Sequence, residues 1–597
     1  MATRRPFSLA LHDDENKLAD AVMDKWIATA AADPTIEVRP PGLDEAAWTT
    51  VLSEFRAILG PDGVLVGGDQ AGRYADPYAE LEPAEERENR ASAATLFPAT
   101  VEQVQGVLRV CNAHSVPLWT VSRGRNLGYG GPAARVKGSV IVDLQRMNRV
   151  LEVNDKFAYY TVEPGVTFFE LYRAIQEQNK AVWMSCPALG WGSVVGNALD
   201  RGWGYTPAGD HANHVCGIEV VLADGTLVRT GMGAVDGSPV WPLFRGGFGP
   251  SYEGMFSQSN FGIVTKMSLW ATPSPEGFIT CNVEVASEDG LAPMLDAFRD
   301  LLLHDAIQNH PLIGNLPRKM VEHKPRSAWY SGPGAVPDNR LREIQKELGC
   351  GYWSGRWALY GPREIVDANL KRCEAAFSCV PGAHMTSKAY FPPAGKRYLS
   401  STDLPIEART GETGTPSLNV LRAVEYKSLD GGHLGFSPVL PPDGKLAQQF
   451  YDEAKALCVA HGFDYFGGLH LYPRHLIMIT MIFFDRQSAN DRQQAGVLFR
   501  RLVAMARKYG YSEYRAHVDY MDLVADQFDF NGGSLRKLSE RIKDVLDANG
   551  ILSPGKQGIW PAAYRSKAKE AADTATANGT NDTNGVACDI EVEETST

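Results

Sequence analysis

The stretch from Val121 to Gly131 reads VSRGRNLGYGG and follows an apolar segment, Pro117 to Thr120, with the character of a strand. Glycines at 124, 128, 130 and 131 remove side chains where the backbone must approach something closely. Backbone N–H groups exposed in such a turn form an anion cradle, and a pyrophosphate is the usual guest. The spacing is not that of the Rossmann fingerprint, and no P-loop Lys-Ser/Thr follows. Glycine-rich turns often only reverse the chain, so the rest of the sequence must decide. A second such loop, Gly550 to Gly558, carries a cation at Lys556 and lies about 420 residues further on. If both loops serve one site, a discontinuous domain must hold an inserted one.

The 597 residues are enough for several domains, and 44% of them are hydrophobic, which permits a large core. A net charge of −12 argues against nucleic acid and anionic membranes as partners. No apolar run approaches the ~20 residues that span a bilayer. The nine cysteines stand singly without a CxxC pair, so neither zinc nor a thioredoxin-like couple is indicated, and reduced thiols in a cytoplasmic protein are expected. Residues 1–45 are polar and Ala/Pro-rich and read as an extension. Residues 566–597 contain no aromatic residue and read as a disordered tail.

Between these ends helices and strands interleave. Thr100 and Gln103 fit a capping box, with Val104, Leu108 and Cys111 on one helical face. Val140 to Leu144 and Tyr159 to Val162 read as buried strands. Thr167 and Glu170 open a second capped helix that is expected to reach about Asn179. Cys216 to Leu222 and Thr226 to Thr230, joined through Asp224-Gly225, read as a hairpin. Hairpins among capped helices point to α+β layers rather than a regular βαβ repeat.

Several segments together resemble the vanillyl-alcohol oxidase / p-cresol methylhydroxylase flavoprotein family, in its branch that oxidises para-substituted phenols. They are Pro117 to Gly131, Val162-Glu-Pro-Gly-Val166, Gly192-Ser-Val-Val-Gly-Asn197 and Arg201 to His211, then Phe256 to Lys266, Glu513-Tyr-Arg-Ala-His517 and Ile551 to Lys556. The match spans roughly residues 50–565. It implies a two-subdomain FAD-binding domain (46–275, closed by 511–565) and an α+β cap with an antiparallel sheet (276–510).

In that resemblance Arg123, Gly124, Arg125, Asn126, Leu127 and Gly128 wrap the pyrophosphate of FAD. Pro187, Gly192, Ser193, Gly196, Asn197, Gly262, Ile263 and Lys556 line the rest of the cofactor site. Asp210 and His211 belong to a family motif without an assigned role. The segment Gly431 to Pro438 is similar to the one that carries a histidyl-FAD bond, which makes His433 the expected attachment point. Tyr426 is the alternative, in the register of a tyrosyl linkage. A histidine-rich stretch that assists attachment in the family has no histidine here, at 80–89.

Tyr129, Tyr514 and Arg515 match the residues that hold a substrate phenolate. A permanent cation with two phenolic donors lowers the pKa of a bound phenol. The implied reaction is hydride loss from the para benzylic carbon to flavin N5, through a p-quinone methide. An aspartate expected near N5 is replaced by Ala188, followed in the chain by Trp191. The cap position where the cresol-type branch carries an acid corresponds to about Gly468. His470 is the nearest replacement; Ile477 and Met478 stand where the family often has paired histidines, with His475 nearby. Oxygen is the expected acceptor. The alternatives are a cytochrome-linked dehydrogenase or a flavin-binding protein with drifted or lost activity. A homodimer or higher homo-oligomer is expected from the family's habit.

Overall fold

The computed structural model describes residues 38–67, Tyr74, Asp76 and 90–565. The tail at 566–597, most of the extension and the histidine-free stretch 80–89 lie outside them.

A small mixed sheet forms first. Its strands are Val64–Leu65, Ala94–Leu96, Val140–Asp143 and Leu118–Val121, in that spatial order. Ala94–Leu96 and Leu118–Val121 both run parallel to Val140–Asp143, whose four residues are all buried, as its apolar character predicts. Helices Glu45–Leu59 and Val101–His114 cover it with Val51, Phe55, Val104 and Leu108. The Thr100 hydroxyl accepts from the Gln103 amide, but the Gln103 side chain reaches back to the Ala99 N–H rather than to Thr100.

A second, antiparallel sheet takes strands Val150–Asn154, Tyr159–Val162, Ile263–Trp270, Val215–Val221 and Leu227–Arg229, in that order. It contains the expected hairpin, paired Val221 to Leu227 and Glu219 to Arg229. The reciprocal capping box at Thr167 and Glu170 is present. Its helix ends at Glu177, because Asn179 turns into the left-handed region at φ 49°, a conformation asparagine tolerates.

The third layer is an antiparallel sheet of eight strands. Seven lie in the order Ala383–Tyr390, Phe278–Val285, Trp353–Tyr360, Leu312–Asn315, Phe466–Leu471, Leu476–Asp485 and Gly431–Phe436; the short strand Val439–Leu440 pairs with Leu476–Asp485. Helices Leu291–Leu303, Gly444–Ala460 and Ala489–Lys508 pack against it through Phe298, Phe450 and Phe499. The fold is therefore α+β.

The chain then returns to the first sheet. The Leu118 N–H donates to the Ile551 carbonyl at 2.8 Å, and the Ser553 N–H donates to the Leu118 carbonyl at 2.8 Å. A fully buried ion pair fixes that return. Lys543 Nζ lies 2.7 Å from Asp547, and both side chains are 0% exposed. Lys543 also donates to the carbonyls of Asn260 and Leu552, and Asp547 accepts from the N–H groups of Ile551 and Leu552. Every polar atom of the pair is thus satisfied, which is what makes a buried charge tolerable. Among the described residues no helix is long and apolar enough to cross a membrane, and no group of acidic, His or Cys side chains is placed to hold a metal ion.

Candidate active site

The three layers meet around two adjoining cavities of about 350 Å³ and 100 Å³. Thr120, Ser122, Gly196, Asp200 and Lys556 line both. The glycine-rich loop forms one wall of the larger cavity through Arg123, Gly124, Arg125, Asn126, Leu127 and Tyr129. Pro187, Gly192, Ser193 and Asn197 line it as well, and Gly262 and Ile263 line the smaller one. Residues far apart in sequence thus line one pair of adjoining cavities.

Local chemistry explains how the loop is held. Arg123 donates to the Gly165 carbonyl at 2.7 Å and pairs with Glu170 of the capped helix, so its guanidinium is committed to the scaffold. Arg125 donates to the Trp191 carbonyl at 3.1 Å and ties the loop to the opposite wall. Ser193 caps the helix Val194–Leu199 and donates to the Pro164 carbonyl. His211 Nδ1 lies 2.6 Å from the Asn197 side-chain oxygen, so His211 positions Asn197. Asp210 caps the short helix His211–His214.

Gly128, at φ 81°, has its backbone pressed against His433: a Cβ added there would lie 2.5 Å from His433 Nε2. His433 stands on the strand Gly431–Phe436, is 4% exposed, lines the larger cavity, and has no partner for Nδ1 among the described residues. Burial lowers its pKa to about 4, against the pull of Asp76, so the imidazole is neutral and keeps a free lone pair at neutral pH. Tyr426 lines neither cavity. It is buried in the cap with its hydroxyl donating to Asp464 at 3.0 Å.

At the far end Arg515 lies between two phenols. Its guanidinium carbon is 4.5 Å from the Tyr129 ring centroid and 4.9 Å from that of Tyr514. All three side chains line the cavity, and Arg515 Nε has no partner among the described residues. Burial disfavours its charge, yet Tyr129, Tyr514 and Asp200 together hold its pKa above the ordinary value. Asp200 is the one carboxylate among the described lining residues of this cavity. Sequence reasoning missed it, because a lone aspartate after a short helix carries no motif.

Ala188 and Trp191 line the same wall, so no acid faces the cavity there. His470, on the strand Phe466–Leu471, also lines it. Burial, followed by His310, Arg318, Arg356 and Arg515, pushes its pKa well below the usual value. It is therefore a neutral hydrogen-bond acceptor rather than a store of protons. Gly468 is on the same strand, and an added Cβ there would meet Arg318 rather than the cavity. Ile477 and Met478 are buried in the neighbouring strand.

The cavity suits FAD on its own terms. A left-handed glycine turn presents backbone to it, Lys556 and Arg125 supply positive charge, and a neutral imidazole whose Nδ1 has no partner among the described residues lies against the loop.

Comparison with known proteins agrees. Residues 92–231 match the family described as FAD binding domain, and residues 439–557 match FAD linked oxidases, C-terminal domain. The chain is 36% identical over 525 residues to the 4-cresol dehydrogenase [hydroxylating] flavoprotein subunit of Pseudomonas putida, covering 87% of this chain and 98% of that one. Among solved structures, 4-ethylphenol oxidase from Gulosibacter chungangensis, in its isoeugenol complex, superimposes with a TM-score of 0.82 at 34% identity, over 88% of this chain and all of that one. p-Cresol methylhydroxylase with substrate bound gives 0.81 at 35%, over 88% and 99%. The chain is an FAD-binding oxidoreductase and belongs to the vanillyl-alcohol oxidase / p-cresol methylhydroxylase flavoprotein family.

Proposed function

We propose that this protein oxidises para-substituted phenols, such as 4-alkylphenols and 4-hydroxybenzyl alcohols, at the carbon attached to the ring. The observation that carries the reading is Arg515, half-buried between Tyr129 and Tyr514 and lining the cavity, with no partner for its Nε among the described residues. A cation flanked by two phenolic side chains in one cavity suits a phenolate oxygen and offers little to a neutral alcohol. The relatives whose names specify 4-cresol and 4-ethylphenol agree with that class.

Arg515 and the two tyrosines bind the substrate as its anion. The negative charge then pushes into the ring and weakens the benzylic C–H bond. FAD, when bound, supplies the hydride acceptor. The substrate is left as a p-quinone methide, whose ring oxygen stays on Arg515. Ala188 brings no base to the reacting carbon, so water addition or proton loss there falls to other side chains. His470 is the candidate, as a neutral acceptor on the cavity wall.

His433 is the proposed covalent anchor. It presents a neutral imidazole to the cavity, whereas Tyr426 is committed to Asp464. We take dioxygen as the acceptor.

The test is direct. Protein precipitated in acid keeps its yellow colour, the label maps to a His433 peptide, and His433→Ala releases the colour to the supernatant. Under anaerobic conditions 4-ethylphenol bleaches the flavin. A flavin that no para-substituted phenol reduces would refute the proposed substrate class.

A further inference from the structure

Behind the cavity wall lies a cluster of buried polar groups that the reaction as described does not use. His470 Nδ1, His310 Nε2, Tyr472 OH and Trp203 Nε1 are all buried, and none has a hydrogen-bond partner among the described residues. They are neighbours. The His470 and His310 rings are 5.2 Å apart, His310 and Tyr472 are stacked at 4.8 Å, and Tyr472 and His475 are stacked at 4.5 Å. Trp203 lies 4.1 Å from Tyr472 and 5.7 Å from His475. The row begins at His470, which lines the cavity, and ends at His475, which is half-buried in the turn before the strand Leu476–Asp485. Tyr205 closes one side, 5.4 Å from His310 and 5.9 Å from His470.

A buried polar atom without a partner costs about 1–3 kcal/mol. Four in one place therefore call for a guest that both donates and accepts, and ordered water is the guest that buried polar groups ordinarily take. None of the four atoms bonds to another of the group among the described residues, so any link between them has to run through a bridging molecule. The oxidised substrate also needs water. In that reading the phenolate end is held on Arg515, and position 188, where the family resemblance puts an aspartate, is alanine; the one carboxylate among the described lining residues is Asp200.

We propose that His470, His310, Tyr472 and His475 form a path that holds water, delivers it to the electrophilic carbon of the quinone methide, and takes its proton towards the surface. This rests on the phenol-oxidising reading. The step balances: the water oxygen forms a bond to the benzylic carbon, the quinone carbonyl becomes the phenolate on Arg515, and one proton leaves along the imidazoles. Burial lowers the pKa of His310 to about 3, helped by His211, Arg356 and His475. The imidazoles therefore keep a lone pair towards water and pass the proton on without storing it. Trp203 and Tyr205 act as positioning residues at the cavity side of the path.

The experiment uses 4-ethylphenol, whose quinone methide either adds water to give the benzylic alcohol or loses a methyl proton to give the vinyl phenol. Two measurements are made on the holoenzyme: the anaerobic rate of flavin reduction, and the alcohol-to-vinyl ratio in ¹⁸O-water. The wild type is expected to yield labelled alcohol. His310→Phe fills the path, and Tyr472→Phe removes one hydroxyl while keeping the ring. Both are expected to lower the alcohol fraction by roughly fivefold or more while reduction stays within about twofold, since hydride transfer does not use the path. An unchanged ratio in both variants with reduction intact overturns the proposal, as does a wild type that makes only the vinyl product. A wild type whose flavin no phenol reduces fails at the earlier step and refutes the phenol reading itself.

Discussion

Replacing Arg515 with methionine removes the charge while keeping most of the side chain's volume. In the native site the guanidinium is half-buried and lies over Tyr129 and Tyr514, with ring centroids at 4.5 and 4.9 Å, so in the proposed reading a phenolate bound there sits in direct contact with the cation. At about 4 Å and an effective dielectric near 20 the attraction is ~4 kcal/mol. That corresponds to roughly three pKa units on the bound phenol. Without the cation the substrate binds in its neutral form, and the electron push that weakens the benzylic C–H bond is lost. Stopped-flow flavin reduction by 4-ethylphenol at neutral pH should slow by roughly a thousandfold. The pH dependence gives a second signature. In Arg515→Met the rate should climb about tenfold per pH unit towards the free phenol's pKa of about 10, whereas the wild type should be much flatter. Arg515→Lys keeps a charge but not the planar fork, and should fall between the two. If Arg515→Met binds FAD, melts like the wild type and still reduces within about tenfold of it, the phenolate argument is wrong.

Three further outcomes follow from the geometry. Gly128→Ala forces a Cβ to 2.5 Å from His433 Nε2 at a φ of 81°; beyond a backbone cost of about 1–2 kcal/mol it displaces the imidazole, so FAD retention on acid precipitation should fall sharply. Lys543→Met strands the fully buried Asp547 and two carbonyls, which should cost about 3–5 kcal/mol and lower the urea midpoint, with Lys543→Arg giving only partial rescue. Burial holds His211 and His310 to a pKa of about 3 and His433 to about 4, so between these values and about 6.5 the unfolded chain binds more protons than the folded one. Stability of the apo-protein should therefore drop as pH falls through that window. His310→Phe should make acid unfolding less steep, and an unaltered profile would count against a buried neutral His310.

Local signals in the sequence were sufficient wherever the chemistry is local. Glycine spacing in Gly124 to Gly131 marked a loop of the cavity wall, because its glycines take positive φ and leave room for Pro132, His433 and Val518. Thr167-Glu170 marked a helix start, and Asp224-Gly225 marked a hairpin, because capping and turn geometry are settled within a few residues. The motif around His433 was legible through resemblance, while its apposition to Gly128 across the fold was not.

What depended on the tertiary structure is what pairs distant residues. Asp76 lies 2.6 Å from His517 across 441 positions, Arg135 reaches Asp522 across 387, and Asn260 ties down Ser553 across 293. The row from His470 through His310 to His475 is of the same kind. His310 read alone is an ordinary histidine near a strand, and its meaning comes from the rings packed on it and from an Nε2 without a partner among the described residues. The sequence by itself determined the α+β layers, the capped helix, the hairpin and the glycine-rich loop, because periodicity, caps and glycine turns are short-range physics. The neutral state of the buried histidines, the commitment of Arg123 and Tyr426 to the scaffold, and the placing of Asp200 beside Lys556 were decided by burial and by long-range contacts. Those depend on which surfaces the folded chain removes from water, and no local pattern encodes that.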